Sequence, residues 1–290
     1  MAENGAERGM RQAAGAGKAR PEQGRALQRR TLQAQTDSDP KNHVASVEKA
    51  VRLLELFDEG EPVLSLPTIV ARSGHTRTTA YRLLSTLERV GWLSRTGAGY
   101  HLTLRVFRLG ASAGNALHLR EIAAEVLVDL AARGGETAYL IVPDGLRGVC
   151  LERVEGPSLV RVMVLDVGKS LPLHVGGGPT AVLAHRDDLL EQVVASGPLQ
   201  TMTGAPLSPD DLRDTLRRIR ERGYSRSAED VTASVGAFGA PVFDAQGTAI
   251  AAVSVGGMLK TLTEKEAELS AALCDAATSI SARLGHRSDT

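Results

Sequence analysis

Residues Leu64–Leu102 read LSLPTIVARSGHTRTTAYRLLSTLERVGWLSRTGAGYHL, and their order decides how the front of the chain folds. Leu66-Pro67-Thr68-Ile69-Val70-Ala71 is a short apolar-periodic segment, and Ser73-Gly74-His75 is a turn. Thr76 to Val90 predicts a second helix that ends at Gly91. Two short runs, Trp92–Arg95 and Tyr100–Leu102, flank Thr96-Gly97-Ala98-Gly99. Helix, tight turn, helix and two-stranded ribbon is the order of a winged helix-turn-helix.

The second helix sorts into faces. Ala80, Leu83, Leu84 and Leu87 recur at helical spacing and point to a small core. Thr78, Arg82, Ser85 and Arg89 lie about half a turn away, a stripe without an acid, flanked near the helix start by Arg77, Thr79 and Tyr81. In a helix-turn-helix the N-terminal residues of the second helix meet base edges and phosphates. Arginine suits guanine and phosphate, and hydroxyls suit phosphate. The candidate DNA contacts are therefore Arg77, Thr78, Thr79, Tyr81, Arg82 and Ser85, with Arg95 on the ribbon. The competing reading is an ordinary surface helix whose hydroxyl residues serve capping, and the neighbouring turn and ribbon weigh against it.

The 290-residue chain has material for about two domains. Aromatic residues make up 3 %, too few for an aromatic-lined sugar or single-strand groove. No apolar run is long enough for a transmembrane helix, and the N-terminus lacks a secretory signal, so a cytoplasmic location is expected. Cys150 and Cys274, far apart in apolar contexts, are expected as buried thiols. The zero net charge hides a split: residues 1–108 carry 17 Lys+Arg against 11 Asp+Glu, and 109–290 carry 17 against 23. A basic front suits contact with a polyanion.

Residues 1–43 lack aromatics and hold little apolar bulk, which predicts a disordered, mildly basic tail. A helix capped by Ser46 is expected next, with Val47, Ala50, Val51 and Leu54 on its inner face and Phe57 near its end. Leu104–Gly114 leads into an amphipathic segment, Asn115–Arg133, carrying Leu117, Ile122, Val126, Leu127 and Leu130. It serves either as a linker and dimer contact or as a layer of its own domain. From Thr137 the period changes to that of strands: Thr137–Val142, Val149–Val154 and Leu159–Leu165. Helices follow at Ala181–His185, Asp187–Ala195 and Pro209–Arg222, then a hairpin of Ser234–Phe243 and Thr248–Val255. A long last helix, Thr263–Leu284, is expected with Thr263 and Glu266 as a capping box. The rear half is thus α+β with a mainly antiparallel sheet. The expected boundaries are 44–105 for the winged module, 106–134 for a linker helix and 135–290 for the rear domain.

Several segments, in order, resemble the IclR family of bacterial transcription regulators: Ser46-Val47-Glu48-Lys49-Ala50, Ala80-Tyr81-Arg82-Leu83-Leu84, Tyr100-His101-Leu102, Leu171-Pro172-Leu173-His174, Arg222-Gly223-Tyr224, Ala240-Pro241-Val242-Phe243-Asp244 and Ala252-Val253-Ser254-Val255-Gly256. The resemblance covers about residues 44–285. It implies a dimerising winged helix-turn-helix, a linker helix and a GAF-like effector domain, assembled as dimers or tetramers on palindromic double-stranded operators. It implies no enzymatic activity and no cofactor. It places the effector pocket at Val160, Met163, Leu171, Gly177, Gly178, Ser227, Val235, Ala237, Ser254 and Gly256. Glycine N–H groups ahead of a helix suit a carboxylate, and Val160, Met163 and Leu171 would form an apolar wall.

The chain departs from the family pattern at Pro179-Thr180, where Gly-Lys is common. It departs again at Ser227, Ala237 and Gly256, where an acid, a cysteine and a serine are common in small-acid pockets. Fewer polar groups predict a larger or less polar effector, or weak binding. The glycine run also fits a plain tight turn, and Ser254 a strand serine bonded to backbone. His174, His185, Asp187 and Asp188 match no metal-ligand spacing, and no Gly-x-Ser-x-Gly elbow or phosphate loop is present. A small-molecule-binding protein that uses its helix-turn-helix only for pairing is the alternative function. An enzyme fused to a DNA-binding module is a weaker third.

Overall fold

The computed structural model describes residues 44–59, 61–110, 114–158 and 164–287. The expected tail, 1–43, and most of the expected strand at Leu159–Leu165 lie outside these described residues. The chain divides into two compact units, Met1–Arg52 and Leu53–Thr290.

Helix α1 spans Ala45–Glu55, and an i,i+4 ion pair joins Glu48 and Arg52. Ser46 is its second residue and not its cap, which corrects the expected start. Val47 and Val51, expected on the inner face, are 59 % and 45 % exposed. The buried side chains are instead Leu53, in the last turn, and Leu56 and Phe57, in the 3-10 turn Leu56–Glu59. The sequence carries two apolar stripes here, and only the later one packs within the chain.

In α2 (Leu66–Ser73) the Ser65 hydroxyl accepts from Thr68 N–H at 3.3 Å, Pro67 sits in the first turn, and Gly74 closes the helix in the left-handed region. Helix α3 (Arg77–Arg89) is capped by Thr76, whose hydroxyl accepts from Thr79 N–H at 3.3 Å. Ala80, Leu84 and Leu87 are buried, and Leu83 is half-buried. Strands β1 (Leu93–Thr96) and β2 (Gly99–Leu102) form the ribbon, and Leu64 pairs with Tyr100 through two backbone bonds of 2.9 Å. A side chain at Gly99 would run into the Leu64 carbonyl, so glycine is required for that close approach. Helix α4 (Leu104–Gly110) follows, and Arg105 donates to the Val90 carbonyl at 2.8 Å, satisfying the end of α3.

Helix α5 (Gly114–Gly134) leads to a six-stranded, wholly antiparallel sheet. Its strands are β3 (Thr137–Asp144), β4 (Arg147–Val154), β5 (Ser170–Pro172), β8 (Ser225–Ala228), β9 (Val235–Phe243) and β10 (Ala249–Met258), in the order β5-β4-β3-β10-β9-β8. The two-residue strands β6 (Leu199–Gln200) and β7 (Pro206–Leu207) pair apart from it. Period-two alternation gives the sheet two unlike faces. Ala138, Leu140, Phe238, Ala240, Val242, Ala251, Val253 and Val255 pack against α5 and the last helix. Leu119, Ala123, Leu127 and Leu130 of α5 belong to that core, so α5 is a layer of this domain.

The opposite face carries Tyr139, Ile141, Ala252, Ser254 and Gly256. It is covered by α6 (Gly177–Leu183), all of whose residues are buried. Beyond α6, helices α7 (Asp187–Ala195) and α8 (Pro209–Arg222) build a satellite core from Leu189, Leu190, Val193, Leu212, Leu216 and Ile219. The long last helix is split: α9 (Leu259–Glu264) precedes α10 (Glu266–Arg283). Thr263 therefore lies inside α9, and the expected capping box is absent. Glu266 instead accepts from the Tyr224 hydroxyl at 3.0 Å and pairs with Arg226 at 3.2 Å. No helix among the described residues is long and apolar enough to cross a membrane.

Candidate functional site

Two sites emerge. The first is the outer face of α3. Arg77, Thr78, Tyr81 and Arg82 are exposed, Ser85 is half-buried, and Arg95 stands on β1 with its guanidinium 5.5 Å from the Tyr100 ring centre. Among the described residues Arg77, Arg82 and Arg95 have no acidic partner. Thr79 is half-buried, and its hydroxyl accepts from Thr76 at 3.0 Å, so it supports the helix start. The result is an exposed, cationic, hydroxyl-bearing surface.

The second is a cavity of about 50 Å³ between the sheet and α6. Leu171, Gly177, Gly178, Ser227, Val235, Ala237, Ser254 and Gly256, all singled out from sequence, line it together. Val160 and Met163 lie outside the described residues. The alternation of β10 explains the last pair: Val253 and Val255 go to the core, so Ser254 and Gly256 face the cavity.

The glycines, open to two readings from sequence, have a definite structural role. A side chain at Gly177 would strike Ala237 and the Phe238 backbone, one at Gly178 would strike Ile141, and one at Gly239 would strike the Gly177 carbonyl. Helix α6 therefore lies directly on the sheet backbone. Gly176, at φ +84°, makes the turn into it. Ser254 donates to the Phe238 carbonyl at 2.7 Å, which matches the strand-serine reading. The few polar groups predict a larger or less polar effector, or weak binding; the cavity is small and its lining mostly apolar. The Tyr139 ring comes within 3.2 Å of where a Gly256 side chain would begin, so an aromatic ring takes up the room that small residues leave.

Sequence reading missed the acid of this site. Ser227 donates to one Asp230 carboxylate oxygen, and the other accepts from Gly176 N–H at 2.7 Å. Its signal was weak: β8 is four residues of Ser-Arg-Ser-Ala, too short and polar for a strand pattern, so the turn beyond it had no frame. Cys150 lies buried beside Tyr139, Ile141 and Leu171, and burial pushes its thiol up to about 12. Among the described residues no three His, Cys, Asp or Glu side chains gather as a metal site.

Residues 46–97 match the IclR helix-turn-helix domain, and 111–282 match the C-terminal domain of the bacterial transcriptional regulator IclR. The chain belongs to the IclR family. It is 28 % identical over 250 residues to the HTH-type transcriptional regulator KipR of Bacillus subtilis, covering 85 % of this chain and 99 % of that one. A solved IclR-type regulator from Silicibacter sp. superposes with a TM-score of 0.72 at 25 % identity, over 83 % of this chain and 97 % of that one. An IclR homologue from Microbacterium hydrocarbonoxydans, solved with 4-hydroxybenzoate, superposes with a TM-score of 0.69 at 25 % identity, over 82 % and 98 %. As an IclR-family member, the chain is a DNA-binding transcription regulator modulated by an effector.

Proposed function

We propose that this regulator acts in the cytoplasm as a homodimer or homotetramer on a palindromic operator. Residues 44–105 read DNA, 135–290 sense the effector, and 106–134 join the two, with α5 packed as a layer of the sensing domain. Two copies of α3 enter successive major grooves, roughly 34–36 Å apart for half-sites one turn apart. Arg77 and Arg82 make the leading contacts, with Thr78, Tyr81, Ser85 and Arg95 beside them and Thr79 holding the helix start. One observation carries the reading: the outward face of α3 holds Arg77 and Arg82 beside hydroxyls, neither arginine paired with an acid among the described residues, and the helix's one acid, Glu88, lies in its last turn. A band-shift titration against the DNA upstream of the protein's own coding sequence tests it. Specific binding is expected to weaken steeply with salt, and Arg77→Ala plus Arg82→Ala is expected to abolish it. Unchanged affinity of that double variant overturns the assignment of the reading face, and absence of salt-dependent binding favours a module used only for pairing.

The small molecule sits in the cavity between the sheet and α6. Its apolar part meets Leu171, Val235 and Ala237. Its polar end meets the Gly177 and Gly178 N–H groups, which have no intrahelical partner in a first turn, while Ser227, whose proton goes to Asp230, borders the ligand. The volume, well under the roughly 300–1,000 Å³ of drug-sized sites, favours a small acid. The 4-hydroxybenzoate complex of the Microbacterium homologue supports an acid in this fold. A thermal-shift screen of small and aromatic acids, repeated on Ser227→Ala, is the test; a shift unaffected by that change moves the effector elsewhere.

A further inference from the structure

A second pocket, of about 350 Å³, opens at the end of the sheet among Gly135, Glu136, Pro157, Ser158, Met258, Thr261 and Lys265. It is distinct from the effector cavity. Gly256 and Gly257 are successive on β10 and so face opposite sides of the sheet. Gly256 lines the effector cavity, whereas a side chain at Gly257 would run into the Glu136 carboxyl.

Glu136 is 6 % exposed as a residue, but its carboxylate oxygens open onto the pocket, and they have no hydrogen-bond or ion-pair partner among the described residues. Buried carboxylates are ordinarily held by donors, because desolvation otherwise disfavours the charge. Burial pushes this one upward, and the Lys265 ammonium opposes that shift from a distance without touching it. Lys265 is exposed, with its nitrogen 3.7 Å from where a Gly135 side chain would begin. One pocket thus presents an unsatisfied acceptor within and a cation at its rim, with the Thr261 hydroxyl and apolar Met258 and Pro157 beside them.

We propose that this pocket binds a small zwitterion of the α-amino acid class, its ammonium on Glu136 and its carboxylate on Lys265. A simple amine would be opposed by Lys265, and a simple carboxylate by Glu136, so only a ligand carrying both charges satisfies the pair. The site stands independently of the effector cavity.

Isothermal titration of the full-length protein with glycine and L-alanine, beside methylammonium and acetate, tests it. Saturable binding of the amino acids alone is expected, weakened at least tenfold in Glu136→Gln and in Lys265→Met. Lys265 is exposed, so its variant keeps the fold even where the buried one does not, and circular dichroism verifies this. No amino-acid binding, equal binding of the single-charge controls, or undiminished binding to Lys265→Met overturns the proposal.

Discussion

Asp230 holds Gly176: its carboxylate accepts the glycine N–H at 2.7 Å while its other oxygen takes the Ser227 hydroxyl. One acid thereby ties the turn into α6 to the end of β8. Asp230→Ala leaves both donors without it and is expected to lower stability by about 1–3 kcal/mol in urea unfolding. It should also weaken effector binding, because Gly177 and Gly178 follow the turn. Wild-type unfolding and binding curves in this variant would show that the turn holds itself.

Gly239 and Gly247 make a matched contrast. A side chain at Gly239 meets the Gly177 backbone, whereas Gly247, at φ +76°, has open space around it. Gly239→Ala is expected to lose about 3 kcal/mol or more, since two backbones must separate. Gly247→Ala is expected to lose only about 1–2 kcal/mol, the cost of a left-handed alanine. Similar melting temperatures for the two would refute the close packing of α6.

Thr76 caps the reading helix from outside its exposed face. Thr76→Ala is expected to cost about 1 kcal/mol. Operator affinity should fall modestly with an unchanged salt slope, because the change takes away no phosphate-binding charge. Arg82→Ala, in contrast, should flatten the plot of log affinity against log salt by about 0.9 for each phosphate that Arg82 neutralises. Equal slopes in the two variants would place Arg82 away from the DNA.

Glu136 has its folded pKa raised by burial. Between its unfolded value and that higher folded value the native state binds more protons than the unfolded one. Its contribution to stability is therefore full below the unfolded pKa and is lost as pH rises through the folded pKa. Glu136→Gln is expected to remove this fall, so wild type and variant should diverge as pH rises above the usual carboxylate range. Parallel stability curves across that window would place the carboxyl in a water-like setting.

The thiols offer a chemical check. Cys150 is buried with its thiol pushed up to about 12, and Cys274 is half-buried. Iodoacetamide at mild alkaline pH is expected to label Cys274 first and leave Cys150 unmodified until the protein unfolds. Peptide mass spectrometry that found Cys150 labelled in the folded protein would contradict its burial.

Helix-turn-helix and ribbon were legible because their signals are local: Thr76 and Gly74 mark ends, and Ala80, Leu84 and Leu87 mark a face. The hairpin of β9 and β10 was legible from two apolar runs joined across Asp244-Ala245-Gln246-Gly247. Reading failed where two patterns overlapped or none existed. Val47 and Val51 have helical spacing as good as that of Leu53 and Leu56, and only tertiary packing chooses between them. Thr263 precedes Glu266 as a capping box should, yet packing carries the chain into α9 first. The pocket residues came from resemblance. Asp230 stayed hidden because its role depends on Gly176, 54 positions away.

Helix α5 has a mechanical consequence. Its Leu119–Leu130 stretch is bonded by packing to the underside of the sheet whose upper side forms the effector cavity. At 1.5 Å per residue its 21 residues make a rod about 30 Å long. A tilt of about 5° at one end of such a rod sweeps the other by roughly 3 Å. Because the packing runs from Leu119 to Ala131, the rod is held to the sheet along most of its length, so helix and sheet turn as one piece.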